Sequence, residues 1–207
     1  IDHLISLNEY LCEMKKILIL FAHPAIQKSR IHRKLGETAR AVEGITFHDL
    51  YHLFPDFYIP VKREQKMLQE HDIIIFQHPL YWYSCPSLLK EWMDLVLEHN
   101  FAFGKSGERL KGKAFLSVVS TGGSSRVYNE SGSRHYTIPQ ILAPFHQTAI
   151  LCGMYYLPPF VVHGSHLLTK PGIIEYCNLY QKLLIALRDE ELNPENVPSA
   201  TYINELI

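Results

Sequence analysis

Short apolar runs alternate with helical patterns along most of this chain. Five of the runs have the length and composition of buried or half-buried strands. These predicted strands are Ile17–Phe21, Ile45–Leu50, Ile73–Gln77, Ala114–Val119 and Phe160–His163. The second run alternates apolar and polar residues, and two prolines precede the last run. We therefore expect both of these strands near the edges of the sheet.

The segments between these runs have the 3.6-residue periodicity of helices. Predicted helices span Ser29–Ala41, Val61–Glu70, Pro86–Glu98, Ile138–Leu151 and Ile173–Arg188. Ser29 is the predicted N-cap of the first helix. Strands that alternate with helices in this way predict an α/β fold with a doubly wound parallel sheet.

The chain of 207 residues has the length of a single domain and contains no internal repeat or linker. We predict an N-terminal extension over residues 1–14, a main domain over residues 15–190 and a C-terminal tail over residues 191–207. Met14 has the sequence context of a natural start, so Ile1–Glu13 is either an upstream addition or a native amphipathic arm.

The predicted helix Pro86–Glu98 is apolar over a wider arc than one core requires. Its apolar residues, which include Trp92 and Met93, cover about 200° of the helix, whereas one core needs an arc of somewhat over 100°. The surplus predicts a second apolar partner. A dimer interface and a large local loop are the two alternatives.

Composition and charge exclude several classes of protein. Hydrophobic residues make up 47% and charged residues 20% of the chain, which excludes a disordered protein. The net charge of −1 argues against nucleic-acid binding. No apolar run approaches the roughly 20 residues of a membrane span. The four cysteines form no C-x-x-C pair, so we expect reduced thiols and a cytoplasmic location.

Three predicted strands end in unusual polar or aromatic residues. His23 and Pro24 follow the first strand, Gln77–Tyr83 ends the third, and Ser120–Gly123 follows the fourth. In an open parallel sheet, ligands bind beyond the carboxyl ends of the strands. The three loops together therefore form the candidate site.

Each loop suits one part of a ligand. The helix N-terminus at Ser29 suits a phosphate, the consecutive aromatics Tyr81–Tyr83 suit a flat ring, and the amides of Gly122 and Gly123 suit ring heteroatoms. Taken singly, an ordinary N-cap, a loop histidine and a plain glycine turn remain as alternatives. The chain contains neither G-x-G-x-x-G nor a Walker A motif, which disfavours pyrophosphate-binding and P-loop sites.

Metal and nucleophile chemistry receive little support. His163 and His166, like His48 and His52, have tolerable metal-ligand spacing, but no cysteine or carboxylate completes either set. We therefore expect no metal site. The chain lacks G-x-S-x-G, and Cys85 is better explained as a packed thiol than as a nucleophile.

With these loops identified, the chain resembles the flavodoxin-like NAD(P)H:quinone oxidoreductases. Within them it is most similar to the bacterial ancillary proteins of glutathione-gated potassium efflux systems. The resemblance extends from about Lys15 to Arg188. The motifs that carry it are Ile17–Pro24, Ser29, Gln77–Ser84, Leu88–Trp92, Phe101–Gly104, Ser120–Gly123 and Leu157–Phe160.

The resemblance implies a five-stranded sheet of order 2-1-3-4-5, a homodimer and a tightly held flavin. The compact length favours FMN, with FAD as the alternative, and NADH or NADPH as co-substrate. The implied flavin-binding residues are His23, Ser29, Arg30, Ile31, His32, Leu80, Tyr81, Trp82, Tyr83, Ser120, Thr121, Gly122 and Gly123. His32 stands where relatives often have Asn.

The resemblance also implies a tyrosine and a histidine that assist electron transfer to the substrate. Tyr128 has the matching spacing, whereas Arg134 occupies the histidine's place and His135 follows it. We expect Tyr128 and either Arg134 or His135 to contact the substrate.

The main functional hypothesis is a cytoplasmic FMN-dependent NAD(P)H:quinone oxidoreductase that reduces a quinone or similar electrophile in a ping-pong reaction. The alternative is a regulatory subunit that docks on a membrane potassium-efflux protein, at the inner face of the membrane. A flavodoxin-type electron carrier fits less well, because such carriers tend to be strongly acidic.

Overall fold

A six-stranded parallel sheet forms the centre of the protein in the computed structural model, which describes residues 14–207. The strands lie in the order β2-β1-β3-β4-β5, and β6 also pairs with β4. They are β1 (Ile17–Phe21), β2 (Ile45–Asp49), β3 (Ile73–Pro79), β4 (Ala114–Ser120), β5 (Tyr155–Tyr156) and β6 (Phe160–Val162). This topology confirms the predicted α/β fold with strand order 2-1-3-4-5.

Within residues 14–207, seven α-helices cover the two faces of this sheet. They are α1 (Arg30–Arg40), α2 (Leu50–Leu53), α3 (Val61–Gln69), α4 (Ser87–Val96), α5 (Ile138–Ile141), α6 (Ala143–Leu151) and α7 (Lys170–Arg188). Helices α1 and α7 pack on one face, with Ile19 and Ile75 of the sheet. Helices α3, α4, α5 and α6 contribute to the core on the other face, with Leu20 and Phe76.

The central strands are apolar on both sides because helices cover both faces. Every residue of β1, β3 and β4 is buried. In β2, at the edge of the sheet, His48 alone is buried. Its alternating sequence therefore predicts its edge position correctly.

Prolines and caps move several element boundaries from their predicted places. The predicted fifth strand, Phe160–His163, is confirmed as β6, which ends one residue earlier at Val162. The sequence did not predict β5, which pairs with β4 before Pro158-Pro159. The predicted helix Ile138–Leu151 divides at Leu142, just before Pro144 in the first turn of α6. Proline has no N–H for a helical hydrogen bond, so α5 does not continue through it.

Two further boundaries follow from side-chain caps. The predicted strand Ile45–Leu50 ends at Asp49, whose carboxylate accepts a hydrogen bond from the His52 N–H and begins α2. The last helix starts at Lys170 rather than Ile173, because the Thr169 hydroxyl accepts from the Gly172 N–H.

The surplus apolar surface of α4 is covered largely by the chain itself. Trp92 is 1% exposed, and its indole Nε1–H donates to Glu64 Oε2 of α3 at 2.9 Å. Phe101 and Phe103 of the following loop pack against the same core. Leu95 is the large apolar residue of α4 that stays exposed. The local-loop alternative therefore explains Trp92, and this helix gives no separate argument for a dimer.

The predicted C-terminal tail contributes to the edge of the sheet. Ile203 is buried in the α1/α7 core. The Val161 N–H donates to Asn204 Oδ1 at 2.9 Å, and Asn204 Nδ2 donates back to the Val161 carbonyl at 3.3 Å. The predicted extension over Ile1–Glu13 lies outside the described residues. Within residues 14–207, no helix is both long and apolar enough to cross a bilayer.

Candidate functional site

A cleft of about 370 Å³ opens at the carboxyl ends of β1, β3 and β4. It brings together parts of all three predicted loops. Its lining residues are His23, Lys28, Ser29, Arg30, Ile31, Pro79, Leu80, Tyr81, Ser120, Gly122, Ser165 and His166. The cleft lies where ligands bind in open parallel sheets.

The N-terminus of α1 forms one end of the cleft. The Ser29 hydroxyl accepts a hydrogen bond from the His32 N–H at 3.1 Å, which confirms Ser29 as the N-cap of α1. The first turn of α1 contributes the backbone N–H groups of Arg30 and Ile31, and the cations Lys28 and Arg30 line the same wall. These amides have no acceptor among the described residues, and together with the positive helix end and the two cations they make this end suitable for a phosphate.

Two buried histidines lie behind this end. The rings of His23 and His32 are 5.6 Å apart, and His32 Nε2 lies 2.8 Å from Ser120 Oγ. Burial lowers the pKa of His23 below its usual value, and it lowers the pKa of His32 well below 6.5. Both imidazoles are therefore neutral at pH 7 when no anion is present.

The aromatic loop is a tight turn held in an unfavourable backbone conformation. The Tyr81 N–H donates to the Ser84 carbonyl at 3.1 Å, and the Ser84 N–H donates to the Tyr81 carbonyl at 3.0 Å. Trp82 and Tyr83 between them have φ of 49° and 62°. Two positive φ angles define a type I′ turn, which bulky side chains rarely adopt. Such strain clusters at functional sites.

The side chains of this turn are open to solvent at the mouth of the cleft. Trp82 is 94% exposed, and Tyr81 and Tyr83 are about half exposed. The N–H groups of Trp82 and Tyr83 donate to no acceptor within residues 14–207. The turn therefore offers both flat apolar surface and free amides.

Gly122 lines the third wall of the cleft, and Gly123 follows it in the same loop. Thr121 Oγ1 donates to the Gly123 carbonyl at 2.7 Å, and the Gly164 N–H donates to the same oxygen at 2.9 Å. The N–H groups of both glycines remain without an acceptor in the described part of the chain. A Cβ on Gly123 would lie 2.8 Å from Val127 Cγ2, so this position requires glycine.

The three predicted catalytic residues lie at different distances from the cleft. Tyr128 is buried beneath Gly123, with its ring 6.0 Å from that of His163. Arg134 Nη1 donates to Tyr83 Oη at 3.3 Å, which links it to the aromatic turn. His135 is exposed, has a φ of 59°, and its side chain makes no hydrogen bond within the described residues. Of these two residues, Arg134 is therefore the one in contact with the aromatic turn.

Sequence reasoning missed three residues of the cleft: Lys28, Ser165 and His166. Ser165 accompanies the three loops because its N–H donates to the Thr121 carbonyl at 2.9 Å. His166 lies against Gly122. Both follow the predicted fifth strand, so the rule that selected the other three strand ends also applies to this one. The spacing of His163 and His166 suggested only an incomplete metal site.

Comparison with known proteins gives a consistent family assignment. A family model described as flavodoxin-like fold matches residues 15–183. A curated relative, the glutathione-regulated potassium-efflux system ancillary protein KefG of Serratia proteamaculans, is 46% identical over 160 residues, which are 77% of this chain and 87% of that protein.

Solved structures with the same fold carry several different names. General stress protein 14 of Treponema denticola, in complex with FMN, is 36% identical with a TM-score of 0.79, covering 83% of this chain and 99% of that one. An NADPH-quinone reductase of P. pentosaceus is 32% identical with a TM-score of 0.75, covering 82% and 97%. A chain described as a thermophilic tryptophan halogenase of Streptomycin violaceusniger is 42% identical with a TM-score of 0.78, covering 80% and 96%.

Because these names differ, the fold alone does not assign a reaction. The family itself follows from the matched residues, from the identity to the curated relative and from the strand order. The chain belongs to the flavodoxin-like fold family.

Proposed function

We propose that this protein is an FMN-dependent NAD(P)H:quinone oxidoreductase. The observation that carries the proposal is the convergence of three elements on one cleft. They are the capped N-terminus of α1, Tyr81 of the strained aromatic turn, and Gly122 of the glycine loop. Each element matches a different part of FMN.

The residues present fit this cofactor. Ser29, Arg30, Ile31 and Lys28 would hold its phosphate through hydroxyl, amide and cationic groups. Leu80–Tyr83 would cover the isoalloxazine ring, and Ser120–Gly123 would meet its polar edge. This assignment includes His23, His32 and Thr121 as supporting residues of the same walls. FMN suits the compact cleft better than FAD, whose adenosine half requires further room.

A bound flavin would supply the redox chemistry, accepting a hydride from NADH or NADPH and passing two electrons to a quinone. The chain's own residues would bind, orient and shield the reactants. Tyr81, Trp82 and Tyr83 would stack on flat rings, and the Gly122 and Gly123 amides would favour negative charge at the ring edge. Tyr128 and Arg134 would donate hydrogen bonds to the substrate oxygen. One open cleft implies that the nicotinamide leaves before the quinone enters, which is a ping-pong order.

Two relatives support this proposal by what they are reported to bind or reduce. The structure from Treponema denticola is a complex with FMN, and the P. pentosaceus protein is described as an NADPH-quinone reductase. Both are more than 30% identical to this chain and match almost their entire length.

The proposal is tested by FMN binding and by turnover of NADH or NADPH with a simple quinone. We expect the wild type to bind FMN and to reduce the quinone. Tyr128→Phe should retain FMN binding and lose about 10- to 100-fold in quinone reduction, because one donor to the substrate oxygen is lost. Wild-type protein that binds FMN but consumes neither nicotinamide would contradict the enzymatic proposal.

A second candidate function is a regulatory subunit of a potassium-efflux protein at the inner face of the membrane. The 46% identity to KefG favours it. The two functions are compatible, since docking and flavin chemistry can use different surfaces. Co-purification with the cognate efflux protein, by wild type and by Tyr128→Phe alike, would support docking. Failure of both proteins to co-purify with it would contradict the docking function and leave the enzymatic proposal unaffected.

We also infer a homodimer. The exposed aromatic turn supports this inference, because Trp82 is 94% exposed beside the cleft and a second copy could cover it. Sedimentation of the wild type as a monomer at micromolar concentration would contradict the inference.

A further inference from the structure

A groove of about 470 Å³ lies between α1 and the N-terminal part of α7. It shares only Arg30 with the cleft at the ends of the strands, so it is a second opening in the protein. Its floor is largely apolar. Ile173 is 7% exposed, Ile174 is 59% exposed, and Cys177 also lines the groove. An apolar side chain of a ligand would lose contact with water against this floor, which favours binding.

The apolar surface continues along the outer side of α7. A second groove of about 520 Å³ is lined by Pro171 and Leu179, and Ile174 borders both grooves. Leu167, just before α7, is 80% exposed. A ligand that covers Ile174 can therefore contact several residues along the helix, which suits a polypeptide segment better than a small molecule.

Cations border this apolar floor. Arg30, Arg33, Lys34 and Lys170 line the groove, and Glu37 is the one carboxylate among its lining residues in the described part of the chain. Lys34 Nζ pairs with Glu37 Oε2 at 2.5 Å, whereas Arg33 and Lys170 form no ion pair within residues 14–207. The whole chain has a net charge of −1, so the positive charge is a local property of this groove. It is complementary to an acidic partner.

We propose that the groove between α1 and α7 docks an acidic segment of a partner protein, with an apolar side chain of that segment against Ile174 and its carboxylates against Arg33 and Lys170. The amphipathic floor and rim match the way in which apolar anchors and charged flanks are recognised in a groove. The proposal goes beyond the flavin chemistry and does not depend on it.

A second copy of this chain fits the groove less well. In a two-fold dimer the same surface meets itself, so the unpaired cations Arg33 and Lys170 of the two copies would face one another. Like charges at close range disfavour such a contact. A flat anionic membrane would reach the cations on the rim but would not fill the concave floor at Ile173. A protruding side chain of a protein segment can reach both.

A display library of random linear peptides, selected on the full-length wild type, tests the proposal. We expect the enriched peptides to combine Asp or Glu with Leu, Ile or Phe. Their affinity should fall as salt is added, because exposed charges on the rim are screened. Selection that enriches no peptides of this composition would overturn the proposal.

Fluorescence anisotropy of the enriched peptides then locates the site through its charges. Arg33→Glu and Lys170→Glu each reverse one charge on the rim, and we expect each to weaken peptide binding about 10-fold. Lys66→Glu makes the same change of charge on α3, at the other face of the sheet, and should change binding less than about 2-fold. Equal losses in all three variants would show that the peptides respond only to net charge, and would overturn the proposal.

The apolar floor has a matched pair of its own. Ile174→Ser should weaken peptide binding about 10-fold, because it removes the central apolar contact. Ile150→Ser removes the same side chain from α6, where it is 55% exposed, and should leave binding nearly unchanged. Both isoleucines are more than half exposed, so neither change should unfold the protein. Equal binding by the two variants would contradict the assigned floor.

Other occupants of the groove give different results in the same experiments. Wild-type protein that binds vesicles of anionic phospholipid through Arg33, but no enriched peptide, would assign the groove to a membrane surface and overturn the proposal. Residues 1–13 contain three carboxylates and no Lys or Arg. Selection that succeeds only with protein beginning at Met14 would assign the groove to this chain's own acidic segment instead. Quinone reduction should be equal in Arg33→Glu and wild type, so loss of docking is distinguishable from failure of the proposed enzymatic function.

Discussion

Trp82 allows backbone strain and ligand binding to be separated in one experiment. The residue is 94% exposed, so removing its side chain changes the packing of the folded protein very little. Its φ of 49° lies in the left-handed region, where an L-residue with a Cβ is unfavourable. Trp82→Gly removes both the ring and the strain, whereas Trp82→Ala removes the ring and keeps the strain.

The expected difference between these variants follows from two opposing terms. A Cβ in the left-handed region costs about 1–2 kcal/mol. Glycine adds about 0.4–1 kcal/mol of conformational entropy to the unfolded chain. We therefore expect Trp82→Gly to be about 0.5–1 kcal/mol more stable than Trp82→Ala, or about 1–4 °C in Tm. Loss of ring stacking should weaken FMN binding about 3- to 10-fold in both variants.

Urea unfolding of the protein without FMN measures the first difference, and quenching of FMN fluorescence measures the second. We expect Trp82→Gly to be more stable than Trp82→Ala and to bind FMN more weakly than the wild type. A glycine variant less stable than the alanine variant would refute the argument from strain. Unchanged FMN affinity in both variants would refute the role of Trp82 as part of the ring wall.

Three other predictions concern packing, a buried carboxylate and pH. Gly123→Ala should destabilise the protein by about 1–3 kcal/mol and weaken FMN binding, because its Cβ would lie 2.8 Å from Val127 Cγ2. Gly122→Ala is the control, because its Cβ would lie 3.4 Å from the nearest atom, His166 Cδ2. Equal losses of stability in urea unfolding would contradict the prediction. Glu64→Gln should cost about 2–4 kcal/mol in the same assay, because Oε2 of this buried carboxylate accepts from both Trp92 Nε1–H and His48 Nε2–H. Glu37→Gln at the surface is the control and should leave the stability nearly unchanged; an equally small effect of Glu64→Gln would show that the buried contacts contribute nothing. Burial lowers the pKa of His78 to about 4, so between pH 6.5 and pH 4 the unfolded chain binds a proton there that the folded protein does not. The free energy of unfolding should therefore fall by about 3 kcal/mol from pH 6.5 to pH 4. His78→Gln should remove that share of the pH dependence, and an unchanged slope in this variant would contradict the prediction.

The central strands could be predicted because strands that are buried on both faces are continuous apolar runs in the sequence. Ile17–Phe21 is apolar throughout, and every residue of β1 is buried. The edge position of β2 followed from its alternation for the same reason. The interruption between β5 and β6 required knowing that Tyr155 and Tyr156 pair with β4, and two residues carry no periodic signal of their own.

The part of the candidate site at the carboxyl ends of the strands was predictable, because ligands bind there in open parallel sheets. The ends of three strands converge on one cleft, and the sequence placed His23, Leu80 and Ser120 at those ends. The sequence alone does not show that the His32 ring reaches Ser120, since 88 residues separate them in the chain. The hydrogen bonds of Glu64 to His48 and Trp92 are long-range in the same sense, because no local pattern pairs residues from a strand and two helices.

An anaerobic titration of the FMN-loaded protein tests the central claim most directly. The flavin absorbance is recorded while NADH or NADPH is added, and again after a quinone is added. We predict that the flavin bands bleach with one equivalent of the nicotinamide and return with one equivalent of the quinone. Flavin bands that remain unchanged with both nicotinamides, in protein that demonstrably holds FMN, would contradict the claim that this protein is an NAD(P)H:quinone oxidoreductase.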